Sequence, residues 1–157
     1  MTVAELTDGW RAAWSGRDPG AFADLCVANA HYEDPLTDGP LIGTAALGQH
    51  AVRLWAGFPD AHLESSGRDV HEGAFVAAPC RLVGTHTEEL AGLPATGRFV
   101  SIQCVFYCEL DEDRLRRVRG FFDLYDAAVQ LGVLPGRRTL GEKALLLLRG
   151  FGLRAGG

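Results

Sequence analysis

The chain has 157 residues, enough to enclose one hydrophobic core of ordinary size. It is 47% hydrophobic and 22% charged, with a formal net charge of −5 and 20 glycines in no repeating period, which excludes a disordered or collagen-like chain. Basic residues exceed acidic ones only within 111–157, too little for the coherent basic face that nucleic acid requires, and no apolar run approaches the ~20 residues of a membrane span.

The N-terminus, Met1-Thr2-Val3-Ala4-Glu5, lacks the basic-then-apolar layout of a secretory leader. Thr2 and Glu5 instead have the spacing of a capping box, and Val3, Leu6, Trp10, Ala13 and Trp14 recur at helical steps, so the pattern predicts an amphipathic helix over 3–15. Asp18-Pro19 restarts a short helix whose inner side is Phe22, Leu25 and Cys26. Residues 30–34 read as a short strand ended by Pro35, and Asp38-Gly39-Pro40 as a loop. Thr44 is the expected cap of a third helix that runs through Leu47, Ala51, Leu54 and Trp55 and closes before Phe58-Pro59. The four cysteines, Cys26, Cys80, Cys104 and Cys108, show neither Cys-x-x-Cys spacing nor a paired framework, so free buried thiols in a cytoplasmic protein are expected.

From Asp60 the texture changes to strands at 61–71, 74–87, 98–110 and 114–125, joined by turn-forming residues. Helices followed by an antiparallel meander predict an α+β fold with the helices gathered on one face of a curved sheet. The tail from Thr139 to Arg154 contains Leu145-Leu146-Leu147-Leu148 beside Lys143 and Arg149; it fits a helix packed on its own sheet or a dimer contact, or one lying on a membrane surface. Closing the last hairpin around Asp111–Asp113 sets Tyr107 opposite Arg117 and Gln103 opposite Phe121. Odd positions from Ser101 to Tyr125 then share a mixed polar and aromatic face, expected to line a pocket, and even positions an apolar face expected to pack.

Three groups of residues carry a family resemblance: Tyr32-Glu33-Asp34-Pro35 with Gly43; Gly84-Thr85-His86 with Leu90, Gly92, Pro94, Thr96, Arg98, Phe99 and Gln103; and Asp123 with Gln130-Leu131-Gly132. In this order, over about residues 5–135, the chain resembles the SnoaL-like polyketide cyclases of the nuclear transport factor 2-like superfamily. The resemblance implies a cone-shaped α+β fold in residues 1–135 whose curved antiparallel sheet and N-terminal helices enclose a pocket; residues 136–157 are expected to be a C-terminal extension, helical and packed on the same domain. It also implies homodimerisation through the outer sheet face. The acid that these cyclases carry on the last strand falls at Gly120, and their histidine near Gln103 falls at Val105. Glu33-Asp34-Pro35 resembles the triplet that holds the catalytic base of ketosteroid isomerases.

Asp34 is therefore the expected base, its pKa raised by partial burial, unless it only caps the turn before Pro35. Asp123 is the second catalytic candidate or a carboxylate paired with Arg119. Gln103 and Tyr107 are expected to orient a carbonyl or hold an enolate, or to be structural. His86 is expected to line the pocket or shuttle protons, or to be a partly exposed strand histidine. Trp14, Tyr32, Trp55 and Arg119 complete the substrate-contact set, and His50 is placed at the surface or rim. His31, His62 and His71 lack metal-ligand spacing, so no metal and no cofactor is expected. These residues imply a cofactor-free cyclase or isomerase that removes a proton next to a carbonyl of a hydrophobic polyketide- or terpenoid-like compound. The alternatives are a noncatalytic small-molecule-binding or dimerisation domain and an epoxide-opening or hydroxylase-type enzyme.

Overall fold

The computed structural model describes residues 1–136 and 138–148. Helix α1 (Val3–Ser15) begins on the capping box: the Thr2 hydroxyl oxygen accepts from the Glu5 N–H at 3.2 Å, and the Glu5 carboxylate accepts from the Thr2 N–H at 2.7 Å. Its inner face, Leu6, Trp10, Ala13 and Trp14, is buried. Asp18-Pro19 leads into a single 3-10 turn, Ala21–Asp24. Strand β1 (Cys26–Glu33) starts four residues before the expected position because Cys26 pairs with Leu115, a contact that local pattern does not reveal. Strand β2 (Leu41–Ile42) pairs back on β1, setting His31 opposite Ile42.

Helix α2 (Thr44–Gly57) is entered through Gly43, whose φ of 86° suits glycine, so the cap lies one residue before Thr44. Gly48 lets this helix cross the Pro19 backbone; a Cβ there would stand 2.4 Å from the Pro19 carbonyl oxygen. Gly→Ala inside a helix ordinarily adds up to about 1 kcal/mol, but here the backbone must yield. Gly48→Ala is expected to cost about 1–3 kcal/mol in urea melts, and a gain in stability would contradict this packing.

The expected strand at 61–71 is two strands, β3 (His62–Ser65) and β4 (Val70–Glu72). Asp69, between them, accepts two hydrogen bonds from the Arg11 guanidinium and one from the Thr7 hydroxyl, which draws the chain out of the sheet toward α1. Strands β5 (Phe75–Thr85), β6 (Phe99–Asp111) and β7 (Arg114–Phe122) complete a sheet of order β2-β1-β7-β6-β5-β3, with β4 also paired to β5. Every pairing is antiparallel except β1 with β7. The outcome is the α+β arrangement of a curved, open sheet with helices against one face.

In the β6–β7 hairpin Tyr107 stands opposite Arg119 and Val105 opposite Phe121, two residues beyond the expected register. The turn is tighter, with Asp111 opposite Arg114 and an irregularity between Glu109 and Leu110. Side-chain parity survives this two-residue shift. Even positions Val100, Ile102, Cys104, Phe106 and Cys108 are buried, whereas odd positions Val105, Tyr107 and Phe121 are exposed. Strand β7 stops at Phe122, short of the expected 125, because Asp123 caps helix α3 (Leu124–Gln130) by accepting from the Asp126 N–H.

Helix α4 (Leu140–Leu148) follows, and the Tyr125 hydroxyl donates to the Glu142 carboxylate at 2.6 Å, tying it to α3. The rest of the expected extension, residue 137 and residues 149–157, lies outside the described residues. All four cysteines are free and buried. No helix among the described residues is long and apolar enough to cross a membrane.

Candidate active site

The inner face of the sheet does more than pack. Between it, α2 and the turn at residues 89–93 lies a cavity of about 570 Å³, within the size range of small-molecule sites. Its walls are mostly apolar, with Leu82, Val100, Ile102, Phe106 and Phe122 on the sheet side. The charged or titratable side chains on the wall are few: Asp34, His50, Arg53, His86 and Glu89.

Asp34 leaves the end of β1 and is buried, its side chain only 3% exposed. Its Oδ2 accepts from the Tyr32 hydroxyl at 2.7 Å and lies 2.7 Å from Nε2 of His50; its Oδ1 accepts from the Leu36 N–H at 2.7 Å. Burial pushes this carboxyl up, but the hydrogen bonds and charge of His50, with those from Tyr32 and Leu36, outweigh it and hold Asp34 below the ordinary carboxylate value. The expected upward shift is thereby corrected: burial came with three donors. Tyr32 lies behind Asp34, and its phenol is held well above its usual range by burial and then by the Asp34 carboxylate.

An ionised Asp34 only accepts, so Nε2 of His50 carries the proton between them. The other nitrogen, Nδ1, makes no hydrogen bond among the described residues. His50 is 8% exposed and lies edge-on to Trp14, not at the rim where the sequence placed it. The signal was present: Leu47, His50, Ala51 and Leu54 fall at the i, i+3, i+4 and i+7 positions of one helix stripe. A histidine in that stripe faces inward.

His86 is completely buried and stacked on Phe58, with ring centroids 5.0 Å apart. Its Nδ1 accepts from the Thr96 N–H at 3.2 Å, which puts the proton on Nε2; that Nε2–H has no partner among the described residues. Trp14 also lines the cavity, and its indole N–H is likewise unpartnered. Trp55 does not line it: its indole N–H donates to the Trp14 carbonyl at 2.8 Å, which locks α2 to α1.

The remaining expected site residues lie elsewhere. Gln103, Tyr107 and Arg119 occupy the outer face of the sheet, where Tyr107 stacks on Phe75 and Arg119 pairs with Glu33. Asp123 is an exposed helix cap and does not line the cavity. The phasing of the hairpin was right in parity, but its faces were assigned the wrong way round. This cavity is walled by apolar side chains, so the mixed polar face was the misleading cue. Thiol chemistry has no footing either: burial pushes Cys26, Cys104 and Cys108 up to about 12.

Gly120 on β7 adjoins the same corner. A Cβ at that position would lie 3.2 Å from Cβ of Asp34 and 3.0 Å from the Phe122 ring. The position where the resemblance puts an acid is thus next to Asp34.

The family profile of SnoaL-like polyketide cyclases matches residues 4–131. Among curated proteins none matches this sequence. Among solved structures, TsrD from Streptomyces laurentii is 21% identical with a TM-score of 0.75, over 84% of this chain and 96% of its own. IdmH from Streptomyces antibioticus is 23% identical with a TM-score of 0.72, over 82% and 97%. A protein of ketosteroid isomerase-like fold from Catenulispora acidiphila DSM 44928 is 19% identical with a TM-score of 0.70, over 83% and 95%. At these identities the structural likeness speaks to the fold.

Proposed function

The chain belongs to the SnoaL-like polyketide cyclase family, and from that premise we propose that it is a cofactor-free cyclase or isomerase that removes a proton next to a carbonyl of a hydrophobic, polyketide- or terpenoid-like compound. The observation that carries this reading is the 2.7 Å contact between His50 Nε2 and Asp34 on the wall of a largely apolar cavity. His50 Nδ1 takes the proton, and Asp34, ionised and fixed by Tyr32 and Leu36, stabilises the imidazolium that forms. Asp34 thus acts as the positioning residue of the pair, and His50 as the base.

The electron pair left on carbon moves into the carbonyl as an enolate, whose charge lies beside the imidazolium of His50. Return of the proton to another carbon completes an isomerisation. Attack of the enolate carbon on a second carbonyl of the same molecule forms a C–C bond and closes a ring, and the new alkoxide takes the proton back from His50. The apolar walls exclude water, which strengthens both hydrogen bonds and charge pairing. The exposed Phe75, Val105, Tyr107 and Phe121 of the outer sheet face support homodimerisation there, which light scattering checks.

Gly120 favours a second reading, a binding domain that holds an apolar ligand without turning it over. Screening oxygenated polycyclic ketones and enones by mass spectrometry separates the two. The enzyme reading predicts isomerised or cyclised product of unchanged mass, or product lighter by one water. Tight retention of unchanged ligand with no turnover across the series would favour the binding domain.

A further inference from the structure

We infer that Arg53 reads an anionic substituent of the ligand, so that the preferred substrate is a carbonyl compound carrying a carboxylate a few bonds from the carbon deprotonated at His50. This rests on the proposed reading of the cavity and deepens it. Among the described residues, Arg53 is the only Lys or Arg that lines the cavity, and it makes no ion pair or hydrogen bond with any of them. The sheet arginines behave differently: Arg81 pairs with Glu64, Arg116 and Arg117 with Glu109, and Arg119 with Glu33.

Position adds to this. Arg53 follows His50 by three residues on α2, which puts their Cβ atoms about 5–6 Å apart on neighbouring turns. Leu36 and Leu124, 50% and 41% exposed, are apolar members of the same cavity lining. Glu89, another charged lining residue, accepts from the Gly92 N–H at 2.6 Å and forms no ion pair with Arg53 among the described residues. Arg53 is exposed, so its guanidinium stands in water at the cavity wall. A carboxylate that reaches it there matches the planar fork of donors, which a neutral ligand does not. The chain's net charge of −5 does not attract anions at long range, so selection of an acid falls to this local group.

The test uses fluorenone carboxylate and its methyl ester. Both present three fused rings and a ketone with no hydrogen on the adjacent carbons, so neither turns over and binding is read alone by calorimetry. Wild type is expected to bind the acid about fivefold more tightly than the ester, the upper range for a solvent-exposed ion pair, and the difference should shrink at about 0.3 M salt. Arg53→Gln should bind both alike. His50→Gln should keep the preference, since the base is not what recognises the anion.

Equal affinities in wild type, or a preference that survives in Arg53→Gln, would overturn the inference. Equal affinities alongside intact proton abstraction would sink this inference alone. A preference for the acid without any proton abstraction would sink the chemical reading alone. Failure of both probes to bind would overturn the cavity as a ligand site, and the inference with it.

Discussion

His50→Gln is expected to lower turnover by two or more orders of magnitude while leaving the fold intact. General-base catalysis by a positioned side chain contributes about 10²–10⁴-fold, and glutamine supplies no basic nitrogen. Its amide N–H can still donate to Asp34, so the buried carboxylate keeps a partner at that point and the melting curve should move little. His50→Ala is the less informative variant because it strips that donor from a carboxylate only 3% exposed. Near wild-type turnover in His50→Gln, with a protein that melts normally, would remove His50 from the mechanism.

Asp34→Asn is expected to produce a comparable loss of turnover for a different reason. The asparagine oxygen can accept from Tyr32 or His50, but it carries no charge to offset the imidazolium. Unlike His50→Gln, this change should also alter the pH dependence of stability. The folded-state pKa of Asp34 lies below its ordinary value of 3.8. Its contribution is therefore fully present above that value and is lost as pH falls through the lower, folded-state value.

Urea melts of wild type near neutral pH and near pH 3 should thus show a loss on acidification that is smaller in Asp34→Asn. Asp60, also held below its usual value by hydrogen bonds from Thr85, contributes equally to both proteins, so the difference isolates Asp34. Loss of a charged, buried acceptor should cost about 1.5–3 kcal/mol at neutral pH. Parallel stability profiles for the two proteins would contradict the hydrogen-bonded, ionised Asp34 described above.

The elements that rest on local chemistry were legible in the sequence. The Thr2–Glu5 box, the stripe of α1 and the alternation along β6 each follow from neighbours a few residues apart. What depended on distant partners was not. The start of β1 at Cys26 needs Leu115, and the break between β3 and β4 needs Arg11 to engage Asp69. The same limit applied to the site. Asp34 was found through its triplet, but its pKa direction depended on donors from Tyr32 and His50, one of them on another element. His50 was misplaced although its helical position pointed inward.

Gln103, Tyr107, Arg119 and Asp123 were drawn to the cavity by polarity. Polar groups on a half-exposed sheet mark the face that meets water just as readily. A cavity made by leaving space between an apolar sheet face and apolar helices has no local sequence signature at all. It is a shape, fixed by how α2 sits on the sheet and by small residues such as Gly48 and Gly120 at the close approaches.

In the proposed reaction His50, held by Asp34, takes a proton from carbon beside a carbonyl inside this cavity. Hydrogen–deuterium exchange into cyclic enones and aryl ketones in D₂O, followed by NMR, reads that step without requiring the natural product to be known. Deuterium is expected at the position next to the carbonyl, gained faster with wild type than in buffer, with a return to the buffer rate in His50→Gln. Exchange at the buffer rate with wild type across the series, or equal acceleration by wild type and His50→Gln, would rule out His50 as the base.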